Sequence, residues 1–292
     1  MRRILFIINP AAGQGAAKKL IPLIQNTCNN RGVGFEIRIS SRAMQITDMV
    51  KAEILKETFT DVVAVGGDGT VVETINGIVG LNINFGLIPA GSGNDLARSL
   101  EIPKEFEEAL EIIFEGQLET IDLGLANNNV FVNSAGIGID GVIIYDTARI
   151  KSYVSGSVAY LLGTLKSIVT YKPFEAKLTI DGVELKTDAF LIAIGNGKYF
   201  GGGMKITPGA ELSSGEFEVC LLRKLSKQRF LRLFPSVYKG IHTNVPEVEM
   251  FNCKELIVEV NGQELHVSAD GNLVSTTPAK IELSKDKLKI WK

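Results

Sequence analysis

Apolar and polar positions follow two different periods along the first 122 residues. Short runs rich in Val, Ile and Phe predict strands, and they alternate with segments whose apolar residues recur every three or four positions, as in amphipathic helices. The predicted strands are residues 4–8, 35–39, 62–65 and 85–88, and the predicted helices are residues 16–29, 46–56 and 71–79. Such alternation predicts an α/β domain with a parallel-rich sheet and flanking helices.

The pattern changes after Asp122 to β-type runs joined by short turns. Asp181-Gly182 separates runs 176–180 and 183–186, and Asn261-Gly262 separates runs 255–260 and 264–267. Asp-Gly and Asn-Gly between such runs are hairpin signals. Helical candidates interrupt this part at residues 155–169 and 226–239. We therefore expect two domains, residues 1–122 and a β-rich domain of residues 123–292, and we leave open a return of the last strand to the first domain.

Length and composition indicate how many domains the chain can form and which partners and sites it lacks. A chain of 292 residues with 45% hydrophobic content is long enough for two domains. The 31 basic and 33 acidic residues leave a net charge of -2, so no field of the whole molecule attracts nucleic acid or anionic lipid. We therefore expect no nucleic-acid partner, and any basic surface must be local. The three scattered cysteines predict neither a disulfide framework nor a zinc site. The apolar run 4–8 is too short for a signal peptide, and the interrupted run 154–171 is too short to span a bilayer, so we expect a cytoplasmic protein.

A glycine-rich loop follows the third predicted strand. It reads Gly66-Gly67-Asp68-Gly69-Thr70 and opens a predicted helix. Glycines let backbone N–H groups approach phosphate oxygens, and a helix N-terminus favours negative charge. Because Asp68 repels a polyphosphate, a magnesium ion or bridging waters must lie between them. This loop therefore predicts a nucleotide site.

Two further loops come at the ends of other predicted strands. They are residues 9–15, Asn-Pro-Ala-Ala-Gly-Gln-Gly, and residues 89–95, Pro-Ala-Gly-Ser-Gly-Asn-Asp. Neither has the G-x-x-x-x-G-K-[ST] spacing of a Walker A loop. Each alone is as compatible with a plain turn, but three such loops at strand ends favour a binding site, since ligands of open α/β sheets lie there.

Residues 66–70 followed by the run Pro89-Ala-Gly-Ser-Gly-Asn-Asp-Leu-Ala-Arg98 resemble the diacylglycerol kinase catalytic domain, which sphingosine and ceramide kinases share. Further matches are Ile8-Asn9-Pro10, residues 121–124, 133–138, 159–160, 195–196 and 199–203, Pro208 and Asp270-Gly271. The resemblance covers nearly the whole chain. It implies an α/β nucleotide domain, a sandwich-like second domain, and ATP bound in a cleft.

The resemblance also implies roles for individual residues. Those expected to hold ATP are Asn9, Gly66, Gly67, Asp68, Gly69, Thr70, Gly91, Ser92, Gly93 and Asn94. Asp68, Asp95 and Asp122 are expected to organise Mg²⁺ through water. Asp270 is expected to be the general base that accepts the proton of a lipid hydroxyl as it attacks the γ-phosphate.

Two positions depart from the family pattern. Asn272 stands where members of the family usually have a Glu after Asp-Gly, so one acidic group is missing near the expected base. In residues 210–215, Ser213 and Ser214 stand where related bacterial enzymes have acids that bind a structural magnesium. Hydroxyls are poor replacements for carboxylate ligands. We therefore expect this structural ion to be absent or weakly bound.

Other signals are weaker. Residues 136–141 satisfy G-x-G-x-x-G, but no acidic residue follows about twenty positions later, so we reject dinucleotide binding there. His242 and His266 are isolated, and structural or solvent-facing roles are favoured for both. Residues 223–234 mix basic and bulky apolar residues at helical spacing, which suits either an interfacial helix on anionic lipid or an ordinary surface helix. If it is interfacial, Lys227, Arg229 and Arg232 are its expected lipid-facing cations.

Together these features predict an ATP- and Mg²⁺-dependent lipid kinase. The leading reaction is phosphorylation of diacylglycerol to phosphatidic acid during transient contact with the inner membrane surface, and sphingoid bases or other lipid alcohols remain open as substrates. NAD kinase, which shares the Gly-Gly-Asp-Gly-Thr loop, is one alternative. A catalytically silent lipid-binding regulatory protein is another. A homodimer is left open, because the sequence does not decide the oligomeric state.

Overall fold

A computed structural model of the chain describes residues 2–41, 45–150, 167 and 170–292. The helix predicted at residues 155–169 lies outside this part except for residue 167, and the family match at residues 159–160 lies outside it entirely. Within the described ranges, no helix combines the length and the apolar character needed to cross a bilayer.

Contacts divide the chain into two compact units. The first comprises Met1–Asp122 with Lys285–Lys292, and the second is Leu123–Ser284. Two strands, β5 (Leu118–Ala126) and β15 (Ala279–Trp291), have residues in both units.

The first unit is built on a parallel sheet, as predicted, and its strand order is β4-β3-β1-β2. The end of β15 adds a further parallel pairing, with Ile290 opposite Phe85. The residues of β3 are buried throughout, which explains the continuous apolar run in the sequence. The strands are β1 (Arg3–Ile8), β2 (Gly34–Ile39), β3 (Asp61–Gly66) and β4 (Asn84–Pro89).

The described helices of the first unit largely follow the predicted segments. They are α1 (Ala16–Lys19), α2 (Ile21–Arg31), α3 (Ile46–Lys56), α4 (Asp68–Ile78), α5 (Asp95–Ser99) and α6 (Phe106–Glu115), preceded by a 3-10 turn, Ala12–Gly15. The helix predicted at residues 16–29 is divided into α1 and α2. Pro22 lies in the first turn of α2, where its missing N–H costs nothing and its fixed φ suits a helix start.

The second unit is β-rich and antiparallel, which confirms the predicted fold class. The central strand β9 pairs with β7, β8 and β10. Strand β12 pairs with β8 and β15, and β13 pairs with β7 and β14. The remaining strands are β6 (Asn129–Phe131), β7 (Ser134–Gly138), β8 (Phe174–Ile180), β9 (Val183–Gly195), β10 (Phe217–Arg223), β11 (Val248–Cys253), β12 (Glu255–Val260), β13 (His266–Ala269) and β14 (Asn272–Thr276).

Of the two predicted hairpins, one is confirmed and one is wrong. Ile180 pairs with Val183 across Asp181-Gly182, and both turn residues have positive φ, 46° and 87°. By contrast, β12 does not pair with the strand that follows Asn261-Gly262. Both edges of β12 are already occupied, by β8 and β15, so tertiary pairing overrides the local turn signal.

Helical segments in the second unit lie beside this sheet. α7 (Ile139–Ile150) was not predicted from the sequence. The helix predicted at residues 226–239 is an α-helix, α8 (Lys227–Leu233), continued by a 3-10 helix, Phe234–Lys239, and followed by a second 3-10 turn, Ile241–Asn244. Phe230 of α8 packs on Phe190 of β9 with ring centroids 5.0 Å apart, which anchors the helix to the core.

Candidate active site

The three glycine loops follow the carboxyl ends of adjacent parallel strands in the first unit. Residues 9–15 follow β1, residues 66–70 follow β3, and residues 89–95 follow β4. Asn9 N donates to Val65 O at 3.2 Å and Ala90 N donates to Gly66 O at 2.8 Å, so the ladder continues into the loops. The structure therefore brings the predicted nucleotide loops together at one edge of the sheet.

The Asp68 carboxylate joins the second loop to the third. Its Oδ2 accepts a hydrogen bond from Asn94 N at 2.8 Å and its Oδ1 accepts one from Asp95 N at 2.6 Å. These two amides lie at the start of α5, where unpaired N–H groups attract negative charge. Sequence reasoning assigned Asp68 to both ATP and magnesium and missed this contact, which depends on residues 26 and 27 positions away.

Asn94 and Gly91 fix the shape of the third loop. Asn94 has a left-handed backbone, φ 55°, and its side chain accepts from Gly91 N at 3.0 Å and donates to Gly91 O at 2.8 Å. A Cβ on Gly91 would lie 2.4 Å from the Cα of Gly67. Glycine is therefore required where these two loops cross, and this explains both Gly67 and Gly91.

The first loop is attached to the other two by Asn9 and Gly13. Asn9 Nδ2 donates to Thr70 Oγ1 at 3.2 Å, and Asn9 Oδ1 accepts from Ala11 N at 3.1 Å. A Cβ on Gly13 would lie 2.5 Å from Ala90 O. These contacts form a closely packed set of loops whose remaining amides suit phosphate oxygens.

The other predicted ATP residues occupy the same loops. Gly66 packs on Thr70, since a Cβ there would lie 2.4 Å from Thr70 Oγ1. Gly69 is in the first turn of α4 and has open space around the position of a Cβ. Ser92 is exposed, and Gly93 O accepts a hydrogen bond from Arg98 Nε at 3.1 Å.

The carboxylates expected to organise magnesium do not form a direct metal cage. Asp95 is buried at the start of α5, and Asp122 Oδ1 lies 2.7 Å from Lys287 Nζ. In the described part of the chain, no group of three or more His, Cys, Asp or Glu side chains could hold an ion. Such a donor set fits Mg²⁺ that arrives with a polyphosphate and keeps several waters, rather than an all-protein site.

In the second unit, Asp270 anchors a turn through its carboxylate. Asp270 has φ 44°, and its oxygens accept hydrogen bonds from Val132 N at 2.7 Å and from Asn133 N and Ser134 N, both at 2.9 Å. Its own N–H donates to Ser134 O at 2.8 Å. Three amide donors hold this carboxylate in one orientation, which the Asp-Gly pair alone did not predict.

Motifs that are far apart in the sequence meet beside this turn. Asn196 Nδ2 donates to Val132 O at 2.7 Å, and Asn196 N donates to Asn133 O at 3.0 Å. Asn133 Nδ2 in turn donates to Tyr199 O. The segments around residues 133, 196, 199 and 270, all of which carried the family resemblance, therefore form one connected structure within the second unit.

An apolar cavity of about 250 Å³ lies next to this structure. Ser134 and Gly271, the neighbours of the Asp270 turn, are part of its wall. Most of the remaining wall is aliphatic or aromatic, and it includes Ile139, Ile143, Ile144, Leu191, Phe200, Met204, Ile206, Leu222, Leu225, Phe230, Leu233, Phe234, Val237 and Val248. The cavity suits an acyl chain better than a polar ligand.

Asp140 is a polar exception in the wall of this cavity. Its Oδ2 accepts a hydrogen bond from Ser268 Oγ at 2.5 Å, while its Oδ1 is buried without a well-aligned donor. Burial raises the pKa of Asp140 to about 6, although Ser268 and the amides of Gly141 and Asp140 itself oppose the shift. Sequence reasoning read this residue only as part of a rejected G-x-G-x-x-G pattern. An acid between two apolar residues, Ile139 and Val142, with only Gly141 intervening, was the available signal.

Asp140→Asn is expected to change how stability depends on pH. A carboxyl whose folded pKa lies near 6 rather than 3.8 stabilises the folded state while protonated, and this contribution is lost as pH rises from about 4 through about 6. Above pH 6 the raised pKa of Asp140 therefore lowers the free energy of unfolding by about 3 kcal/mol. Denaturant unfolding should therefore show that, between pH 4 and pH 8, the free energy of unfolding of the variant rises by about 2–3 kcal/mol relative to that of the wild type.

The matched control is Asp146→Asn on the same helix. Asp146 is also buried and accepts a hydrogen bond from a hydroxyl, Ser167 Oγ, at 3.0 Å, but it does not line the described cavity wall. If the free energies of unfolding of the wild type and Asp140→Asn change with pH in the same way, the Asp140 carboxyl does not destabilise the folded state above pH 6.

The other sequence signals have plain structural settings. β7, which carries the start of the G-x-G-x-x-G pattern, has antiparallel neighbours, so it is not part of a parallel βαβ unit. His242 is buried with its Nε2 3.0 Å from Ile206 O, and the exposed His266 stacks on Tyr145. Ser214 Oγ donates to Glu216 O at 2.9 Å in the loop where a structural ion was expected to be absent or weak, and that expectation stays a prediction.

Comparison with known families matches both units. The family model of the diacylglycerol kinase catalytic domain matches residues 3–126. The model described as the YegS C-terminal NAD kinase beta sandwich-like domain matches residues 133–292.

Similar proteins cover almost the whole chain. A diacylglycerol kinase of Mycobacterium tuberculosis is 32% identical over 96% of this chain and 91% of its own length, and one of Bacillus subtilis is 28% identical over 96% and 93%. A crystal structure of a diacylglycerol kinase from Bacillus anthracis has a TM-score of 0.75 at 24% identity and covers 99% of this chain and 96% of that one, a likeness of fold. With the family models and the Mycobacterium relative in agreement, the chain belongs to the diacylglycerol kinase catalytic-domain family, a family of lipid kinases.

Proposed function

We propose that this protein transfers the γ-phosphate of ATP to the free hydroxyl of diacylglycerol and so makes phosphatidic acid. The observation that carries the proposal is the apolar cavity beside the Asp270 turn. A cavity with this lining fits acyl chains, and Asp270, whose chain neighbour Gly271 lines the cavity, accepts the proton of the hydroxyl. The relatives named as diacylglycerol kinases support the choice of this lipid.

In this proposal the first unit holds the nucleotide. The backbone of the three loops, with Asn9, Thr70 and Asn94 fixing their shape, binds the phosphates of ATP. Asp68, Asp95 and Asp122 would hold Mg²⁺ through its waters. The ion would supply charge neutralisation on the phosphoryl group that is transferred.

The second unit positions and deprotonates the lipid. Asp270 takes the proton of the lipid hydroxyl as the hydroxyl oxygen forms its bond to the γ-phosphorus. The bond between that phosphorus and the β–γ bridging oxygen breaks, and ADP leaves with the electron pair. The three amides that hold Asp270 fix the direction of the accepting oxygen, which places the reaction on one hydroxyl. We further propose that the reaction takes place at the cytoplasmic face of a membrane.

Two alternatives receive less support. NAD kinase requires a site for a large polar dinucleotide, whereas the cavity of the second unit is apolar. A silent lipid-binding protein would account for Asn272 in place of an acid, but it leaves the hydrogen-bonded loops around Asp68 without a purpose.

The test is transfer of radiolabelled γ-phosphate from ATP with magnesium to lipids in mixed micelles. Dioleoylglycerol, sphingosine and NAD are offered in parallel. Labelled phosphatidic acid is the expected product. Label only in NADP would establish NAD kinase, label only in sphingosine phosphate would replace diacylglycerol as the substrate, and no label in any acceptor would favour the silent protein.

A further inference from the structure

The helical segment formed by α8 and the two 3-10 turns after it has two different sides. Its inward side carries Phe230, Leu233, Phe234 and Val237, which line the apolar cavity at spacings of three, four and seven residues. This segment is therefore both a wall of the proposed lipid site and a part of the protein surface.

Large apolar side chains are exposed on the outward side. Leu231, Tyr238 and Ile241 expose 49%, 51% and 53% of their surface. A single exposed apolar residue is normal on a protein surface. Three of them within eleven positions, on a segment whose other side lines a cavity, indicate a contact surface.

The outward side is also basic. Residues 224–246 contain five Lys or Arg and no Asp or Glu, in a chain whose net charge is -2. Arg229 is engaged by Glu247, with Nε 2.9 Å from Oε1, so this expected lipid-facing cation is neutralised within the protein. The other four cations, Lys224, Lys227, Arg232 and Lys239, are exposed, and no carboxylate partner for them occurs in the described ranges.

We propose that Lys224, Lys227, Leu231, Arg232, Tyr238, Lys239 and Ile241 form a docking face for an anionic lipid bilayer. This proposal rests on the proposed function, because a lipid substrate must reach the cavity from a membrane. The cations meet anionic headgroups while the three apolar side chains enter the boundary between headgroups and acyl chains. Since the same helical segment lines the cavity, docking sets the cavity wall directly against the bilayer from which a lipid is taken.

The experiment is vesicle co-sedimentation without nucleotide. Vesicles of phosphatidylcholine alone and of phosphatidylcholine with 30 mol% phosphatidylglycerol are compared at low and high salt. Wild-type protein is expected to bind the anionic vesicles and to be released by salt. The triple variant Lys227→Glu, Arg232→Glu, Lys239→Glu should bind them roughly 100-fold more weakly, from about fivefold for each of the three basic residues.

Matched controls separate this face from general charge and hydrophobicity. Lys51→Glu, Lys104→Glu, Lys254→Glu makes the same change of charge at exposed lysines elsewhere in the chain. For the apolar residues, Leu231→Ser with Ile241→Ser is compared with Leu55→Ser, which removes a side chain that is 88% exposed. The docking variants should lose binding and the controls should keep it.

The failure of this proposal is distinguishable from failure of the proposed function. Equal vesicle binding by the charge-reversed variant and the wild type, or an equal loss in the lysine control, would overturn the docking face. The docking face would also be overturned if the wild type forms a dimer and the double variant Leu231→Ser, Ile241→Ser does not. That result would assign the surface to a second copy of the chain. Kinase assays with dioctanoylglycerol in detergent micelles test the function separately, because they need no bilayer.

Discussion

Asp270→Asn is expected to lower kcat for diacylglycerol phosphorylation by about 10²–10⁴-fold, the usual range for loss of a general base. The amide cannot take the hydroxyl proton, so the loss falls on the chemical step. The measurement is steady-state kinetics in mixed micelles with both substrates varied. The KM for ATP should stay close to that of the wild type, because the predicted nucleotide residues belong to the other unit.

The structure makes a control necessary, because Asp270 is also a structural anchor. Its carboxylate accepts three backbone hydrogen bonds. The NH₂ group of an Asn side chain would face at least one of these backbone N–H groups, and two donors cannot bond to each other. Asp181→Asn is a close match within the same unit. Asp181 also precedes Gly, has φ 46°, and accepts hydrogen bonds from Lys254 N at 3.0 Å and Glu255 N at 2.9 Å.

The two variants together separate catalysis from structure. Both variants should have lower thermal stability than the wild type, but only Asp270→Asn should have a strongly reduced kcat. If the two variants lose activity in proportion to their loss of stability, Asp270 is a positioning residue for residues 132–134. The base would then have to be sought elsewhere.

Asp68→Asn is expected to lower kcat/KM for ATP by at least about 100-fold. Its carboxylate accepts from two backbone amides, and hydrogen bonds to charged groups contribute about 1.5–3 kcal/mol each. The Asn side chain replaces one acceptor by a donor that faces another N–H, so the start of α5 separates from the second loop. Kinetics and equilibrium binding of ATP measure the effect.

Asp48→Asn is the matched control for that variant. Asp48 is likewise an acid in the first turn of a helix, α3, and is exposed. Its replacement changes net charge and helix-terminus electrostatics without touching the loops. If Asp48→Asn loses as much ATP affinity as Asp68→Asn, the hydrogen bonds from Asn94 N and Asp95 N to Asp68 do not contribute to ATP binding.

Local sequence was sufficient for much of the first unit. The buried runs 4–8, 62–65 and 85–88 lie in strands, and the helix predicted at residues 46–56 has those bounds in the structure. These elements are determined by short-range periodicity, which the chain displays directly. The loops were found for the same reason, since glycines next to strand ends are visible without any knowledge of the fold.

Long-range pairing was not predictable in the same way. The Asn261-Gly262 signal predicted a hairpin, yet β13 pairs with β7 and β14, because β8 and β15 already occupy both edges of β12. α7 was missed because its apolar residues are not confined to one clear stripe of the helix. The pairing of β13 with β7 depends on residues about 130 positions apart in the sequence, as in the pair Val267 and Ile137.

The sequence by itself determined most element types of the first unit, the glycine loops and the acids available for chemistry, because each of these depends on residue type and near-neighbour spacing. Only the tertiary structure decided what those acids contact. It bound Asp68 to the start of α5, held Asp270 on three amides of residues 132–134, and placed Asp140 in the wall of an apolar cavity. The physical reason is that hydrogen-bond partners and desolvation come from segments far away in the sequence, which meet only when the sheets assemble.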